Sequence, residues 1–226
     1  MNNLTDILRR YFIATFGLAL VAVGVALSLK SNLGTAPISC PPAVLNLRFT
    51  AISVGTFTWM MHIVLILFQV LLLRRRFKLV HLMQIPAAFV FGYLCDAAIW
   101  ACSPLPADCY GLQLVWSLAA VLITAIGLRI EVLANAWMIA GDRTTQVLAD
   151  VCGSTFSTLK IFFDVFFVLA ASAFALIAFG DFFGDGVHNV IREGTLILAV
   201  LTGLCMKLTD PCVCAVYRKL FPSYKG

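Results

Sequence analysis

The sequence predicts an all-α polytopic membrane protein: six transmembrane helices in two inverted three-helix repeats, each with a short broken or re-entrant half-helix. Three observations lead there. Of the 226 residues, 62% are hydrophobic and 12% charged, with a mean hydropathy of +0.98, which leaves too little polar surface to coat a soluble globule. Six charge-poor runs are long enough to cross a hydrocarbon core of about 30 Å. The first half of the chain can also be laid upon the second. A single membrane domain, 1–226, is expected.

The spans follow from the cost of placing a charge at the bilayer centre. Tyr11 to Leu29 is the first and Phe49 to Leu73 the second, the latter carrying His62 and Gln69. Leu79 to Cys102 is the third, with His81, Gln84 and Asp96, and Cys109 to Leu128 is the fourth. Ile161 to Gly180 is the fifth, carrying Asp164 inside it and Lys160 at its edge. Val187 to Met206 is a short sixth, wholly uncharged only from Gly194. The alternation of a β-barrel, about ten residues per strand, is absent.

Orientation follows from the basic residues. With the N-terminus in the cytoplasm, only Lys30, Arg48 and Arg192 of the 16 Lys and Arg fall outside, leaving 13 within, as the positive-inside rule requires. Both termini are expected in the cytoplasm, with a tail from 209 to 226. Because the basic residues flank spans rather than forming one face, the positive charge needs no nucleic-acid partner. The "LRRYFI" segment resembles a twin-arginine signal, but no small-residue cleavage site follows it, so Arg9 and Arg10 read as membrane anchors.

A slide of 103 residues places "GVALSLKSNLGTAPISCPPAVL", from Gly24, on "GLRIEVLANAWMIAGDRTTQVL", from Gly127. Gly24 meets Gly127, Asn32 meets Asn135, Ser39 meets Asp142, and Val44-Leu45 meets Val147-Leu148. Gly17 and Gly24 of the first span correspond to Ala120 and Gly127 of the fourth, small residues that let helices approach closely. Repeat one covers about 9–102 and repeat two about 112–208. Three spans is an odd number, so the second repeat must insert upside down, as in many secondary transporters.

Each half contains an interruption that reads as a short helix. Ser39 and Asp142 are suitable N-caps, and Pro41 and Pro42 then fall in a first turn, where backbone donors are unpaired in any case. From Cys40 to Phe49 is about 15 Å of helix, half of a hydrocarbon core. Gly153 is a C-terminal stop for the second short helix. Non-helical backbone at depth is tolerated only against protein or a water-filled cavity, so "NLGTAPIS" and "NAWMIAG" are expected to line one. The helix N-termini would face each other near the midplane and favour a negative or carbonyl-bearing ligand group. The alternative is that 31–54 and 134–155 are surface loops with interfacial helices.

Polar residues inside the spans point to the same place. Thr58 and His62 lie one turn apart, as do Lys160 and Asp164, and a slide of 102 superimposes the pairs. A ligand site is therefore expected from Asn32, Thr35, Ser39, Thr58, His62, Asn135, Asp142, Arg143, Thr144, Lys160 and Asp164. The competing reading is a structural Lys160–Asp164 pair and a His62 bonded to a carbonyl. Cys102 and Cys109 bracket the outer loop "SPLPAD", where the spacing leaves both a disulfide and two free thiols open. Asp210, Cys212 and Cys214 lack zinc spacing and read as packing residues, so neither a metal nor a cofactor is expected.

"GVALSLKSNLGTAP", "QIPAAFVFGYLCD" and "VIREGTLILAVLTG" together resemble recurring segments of the YczE and YitT-like family of bacterial membrane proteins, in order over residues 11–208. The resemblance implies a six-span protein of the bacterial cytoplasmic membrane and no particular activity. Two functions are weighed beside it. A secondary transporter of a small anionic or zwitterionic solute fits the repeat, the broken backbone and the intramembrane charges. A non-transporting accessory or substrate-capturing subunit of a larger complex fits the small size and the absence of a phosphate-binding loop. No H-E-x-x-H motif and no nucleophile with a paired base is present, so an enzyme is not expected. The expected partners are the lipid bilayer and a small solute, with the oligomeric state open.

Overall fold

The computed structural model describes residues 4–74, 82–134, 136 and 139–220. Among them are eight α-helices and no strand beyond one isolated bridge between Gly184 and Asn189. Six helices are long and apolar enough to cross a membrane. The chain is a multi-pass membrane protein. Asn135, His81, Leu79, Arg75, Arg76, Lys78 and Lys225 lie outside the described residues.

Helix α1, Leu4–Ser31, ends where Asn32 turns left-handed at φ 55°, a conformation asparagine tolerates better than most residues. A 3-10 turn, Pro37–Ser39, leads into the short α2, Cys40–Arg48, with Pro41 and Pro42 in its opening turn as expected. Ser39 stands at the cap position but its side chain caps nothing. Helix α3, Val54–Leu73, begins five residues later than Phe49, because Ser53 accepts the Thr56 N–H at 3.1 Å and starts a new helix there. Helix α4 is Gln84–Cys102.

Helix α5, Tyr110–Ala134, continues well past Leu128, since both of its terminal charges find partners. Arg129 donates to Asp210, and Glu131 accepts the Ile139 N–H at 2.8 Å. The second short helix, α6, Ala140–Cys152, has Ile139 at its cap, so Asp142 sits inside the first turn rather than capping it. Gly153 at φ 65° ends α6 as expected, in a backbone region that glycine enters without strain. Helix α7, Phe156–Phe179, starts at Thr155, which accepts the Thr158 N–H, matching Ser53 102 residues earlier. Helix α8, Glu193–Leu220, starts later than Val187 because residues 181–192 form a folded loop. Cys102 and Cys109 are both free thiols.

At the centre α1 crosses α5. A methyl group on Gly17 would stand 2.9 Å from the Gly127 carbonyl oxygen, and one on Gly127 would stand 2.7 Å from that of Gly17. One on Gly24 would stand 3.1 Å from the Ala120 carbonyl. The contacts advance along α1 as they retreat along α5, so the two helices run antiparallel at the closest approach that glycine permits. Around this axis the packing recurs in matched pairs. Helix α1 packs on α4 as α5 packs on α8. The short α2 lies between α3 and α7, and so does α6. The exception is that α3 packs closely on α4, whereas α7 and α8 hardly touch.

Candidate functional site

The two short helices begin against each other. Ile38, just before α2, fills the space that any side chain at Gly141 in the first turn of α6 would need. From there α2 leads toward the start of α3, packing its Val44 in one cluster with Ala171 and Ala175 of α7. Helix α6 leads toward the start of α7, packing its Ala140 with Leu65 and Ile66 of α3. An amide network fixes that second start. Buried Gln69 donates to Gln84 at 3.1 Å, to the Ala140 carbonyl at 3.3 Å and to Thr144 Oγ1 at 2.9 Å.

Between the two starts lies a cavity of about 500 Å³, lined by residues of α1, the 36–39 turn, α3, α4, α5, α6, α7 and α8. Its polar lining includes Ser39, Thr58, His62, Thr124, Glu131, Asp142, Gln146, Lys160, Asp164 and Thr202. Six of the residues expected from sequence therefore meet here: Ser39, Thr58, His62, Asp142, Lys160 and Asp164.

Lys160 Nζ stands 3.2 Å from Asp142 and 3.3 Å from Asp164, so one ammonium joins the first turn of α6 to two turns of α7. His62 is 2% exposed and stacks on Phe91 with 5.7 Å between ring centroids. Among the described residues its ring forms no hydrogen bond, so the carbonyl partner weighed from sequence is absent. Thr58 returns its hydroxyl to the Val54 carbonyl at 2.8 Å.

The other expected residues that the structure describes serve the scaffold. Asn32 donates to the Val187 carbonyl at 3.2 Å and accepts the Asn189 N–H at 2.6 Å, anchoring the α7–α8 loop. Thr35 shares a 2.7 Å hydrogen bond with Ser28 and donates its N–H to the Val190 carbonyl at 3.0 Å. Thr144 donates to the Ala140 carbonyl at 2.6 Å, and Arg143 donates to Gln146 at 3.1 Å. In the loop itself, partial burial opposes the charge of Asp185, but the N–H groups of Val187 and His188 and the His188 ring outweigh it. They hold this carboxyl below the ordinary aspartate range.

Glu131 was not anticipated as a site residue. Its signal lies in the same 103-residue slide, which places it opposite Ser28. Each of these buried residues hydrogen-bonds to the interruption that follows its helix, Ser28 to Thr35 and Glu131 to Ile139.

No curated protein and no solved structure matches the chain. A family profile does, over residues 8–211, nearly the whole membrane domain just described. The chain belongs to DUF6198, a family of unknown function.

Proposed function

We propose that this protein is a secondary transporter of the bacterial cytoplasmic membrane, built from two inverted repeats and carrying a small zwitterionic solute. The observation that supports it most is the cavity at the meeting point of two short helices, with charged side chains set in a mainly apolar lining. The starts of α2 and α6 turn positive dipole ends toward a ligand's negative part, and since Pro41 and Pro42 leave the first turn of α2 without N–H donors, backbone donors come from the first turn of α6. Glu131, Asp142 and Asp164 outnumber Lys160 in the lining, which favours a zwitterion over a plain anion. Antiparallel crossing of α1 and α5 through matched small residues is what inverted repeats require. Binding and movement suit these groups better than catalysis: among the described residues, no nucleophile in the lining is hydrogen-bonded to a base. Both termini face the cytoplasm in this reading, and the likeness of the three quoted segments to YczE and YitT-like proteins agrees with it.

Purified protein in liposomes tests the reading directly. Concentration jumps of amino acids and betaines on a solid-supported membrane should give a charge-transfer current for at least one compound, lost in Asp164→Asn. A capturing subunit would protect the protein against heat with such a compound and pass none of it. Cysteine labelling near the C-terminus from inside, and in the Ser103–Gly111 loop from outside, checks the topology.

A further inference from the structure

Glu131 sits close to the end of α5, 5% exposed, and is one of the residues that line the cavity. One carboxyl oxygen, Oε1, accepts the N–H of Ile139, the residue at the start of α6, at 2.8 Å. The other, Oε2, is buried and has no hydrogen-bond partner among the described residues. A buried carboxylate oxygen without a donor is among the costliest placements in a protein, and cost rises further where no cation is close enough to pair with it. Lys160 is already held between Asp142 and Asp164. Thr124, elsewhere in the lining, offers a hydroxyl but no charge. What the chain withholds from Oε2, a positive N–H donor, a ligand can bring.

We propose that Glu131 is the cation-binding pole of the cavity and takes the protonated primary or secondary amine of the ligand. This deepens the transport reading and rests on it. An N–H of the ligand ammonium donates to Oε2, while the ligand's negative end lies toward the starts of α2 and α6. A quaternary ammonium lacks that donor and is discriminated against. Because Oε1 of the same carboxylate carries the first backbone N–H of α6, filling the pole also bears on how α6 is held.

Butylammonium, 4-aminobutanoate and butanoate share a chain length and differ in charged ends, so they serve as probes on the full-length protein in detergent, read by calorimetric Kd. Wild-type protein should bind the two amines more tightly than butanoate. Glu131→Gln should weaken both amines at least about tenfold, the loss of one hydrogen bond to a charged group, and leave butanoate within about threefold. Amine affinities at wild-type values in Glu131→Gln would overturn the assignment, while a response of all three probes to Asp164→Asn would leave the cavity reading standing. A second measurement needs no variant. Dicyclohexylcarbodiimide, an apolar carboxyl reagent, should modify Glu131 in the folded wild-type chain, and butylammonium should slow that modification. Unchanged modification in its presence, or none at Glu131, defeats the proposal. Protection without flux in liposomes would retain the amine pole and remove transport.

Discussion

Helices α3 and α4 occupy the places in the first half that α7 and α8 occupy in the second, yet only the first pair is closed. At their seam a methyl group on Gly92 would stand 2.6 Å from the Gly55 carbonyl oxygen, and one on Gly55 would strike the Gly92 carbonyl. Asp96 then ties the seam at one end, accepting the Gly55 N–H at 2.7 Å and the Ser53 hydroxyl at 2.6 Å. Gln69 and Gln84 exchange hydrogen bonds at the other end. The slide of 102 that matches Ser53 to Thr155 turns Gly55 into Ser157, and one of 103 turns Gly92 into Thr195 and Asp96 into Ala199. Without facing glycines and a carboxylate, α7 and α8 stand apart. A largely apolar groove of about 680 Å³ separates them, lined by Val165, Val168, Leu169, Leu196 and Ala199 among others. Pro37, Asp164 and Ala199 line both this groove and the central cavity. Closing a helix pair in a bilayer, where lipid is as apolar as leucine, depends on close backbone approach and hydrogen bonds rather than on apolar area.

Four destabilising substitutions break or sharpen that contrast, in decreasing order of effect, with Gly203→Ala as the control for the first. Gly92→Ala should destabilise by about 2 to 3 kcal/mol, because backbone at the seam must give way. Gly203→Ala on α8, where an added methyl meets nothing within 4 Å, should stabilise by about 0.5 to 1 kcal/mol through helix propensity. Equal thermal shifts for the two would dissolve the distinction between a sealed and an open pair.

Gln69→Leu comes next, at about 2 kcal/mol, since it removes the two hydrogen bonds exchanged with Gln84 and those given to the Ala140 carbonyl and Thr144 at the start of α6. Replacing both Gln69 and Gln84 by leucine should recover part of that loss in the same melts. Asp96→Asn should cost about 1 to 2 kcal/mol, because one of its two accepted hydrogen bonds is lost together with the charge at the α3 N-terminus.

Asp185→Asn acts only on the loop of the open pair and should have the smallest effect. The folded carboxyl titrates below the unfolded one, so its contribution is present above about pH 4, the unfolded value, and is lost as pH falls through the folded value. Wild-type and variant melting temperatures should therefore differ at pH 7 and converge at low pH. A difference that persists in acid would assign the effect to the amide itself.

The spans were legible because uncharged length is a direct statement about the bilayer, and all six appear. Their ends were less so. The fourth span was expected to end at Leu128, yet α5 carries Arg129 and Glu131 onward because Asp210 and the Ile139 N–H receive them, a pairing between separate segments that no local pattern displays. The matched Thr58–His62 and Lys160–Asp164 faces did converge on one cavity, since helical spacing determines a face whatever the tertiary contacts. Asn32, Thr35 and Thr144 share the residue chemistry of a binding site but spend it on the scaffold: Asn32 on backbone of the α7–α8 loop, Thr35 on the Ser28 hydroxyl and Thr144 on the Ala140 carbonyl, groups that must be satisfied before any ligand is.

The α1–α5 crossing also sets a clock on biogenesis. Gly17 and its neighbour Gly127 are 110 residues apart in the chain. At a synthesis rate of about 5 to 20 residues per second, α1 waits roughly 5 to 20 s in the bilayer before its partner exists. During that interval the flat glycine face of α1 meets lipid, or other proteins still being inserted nearby. A ribosome that pauses between the halves lengthens the exposure, and an N-terminal half released alone never ends it.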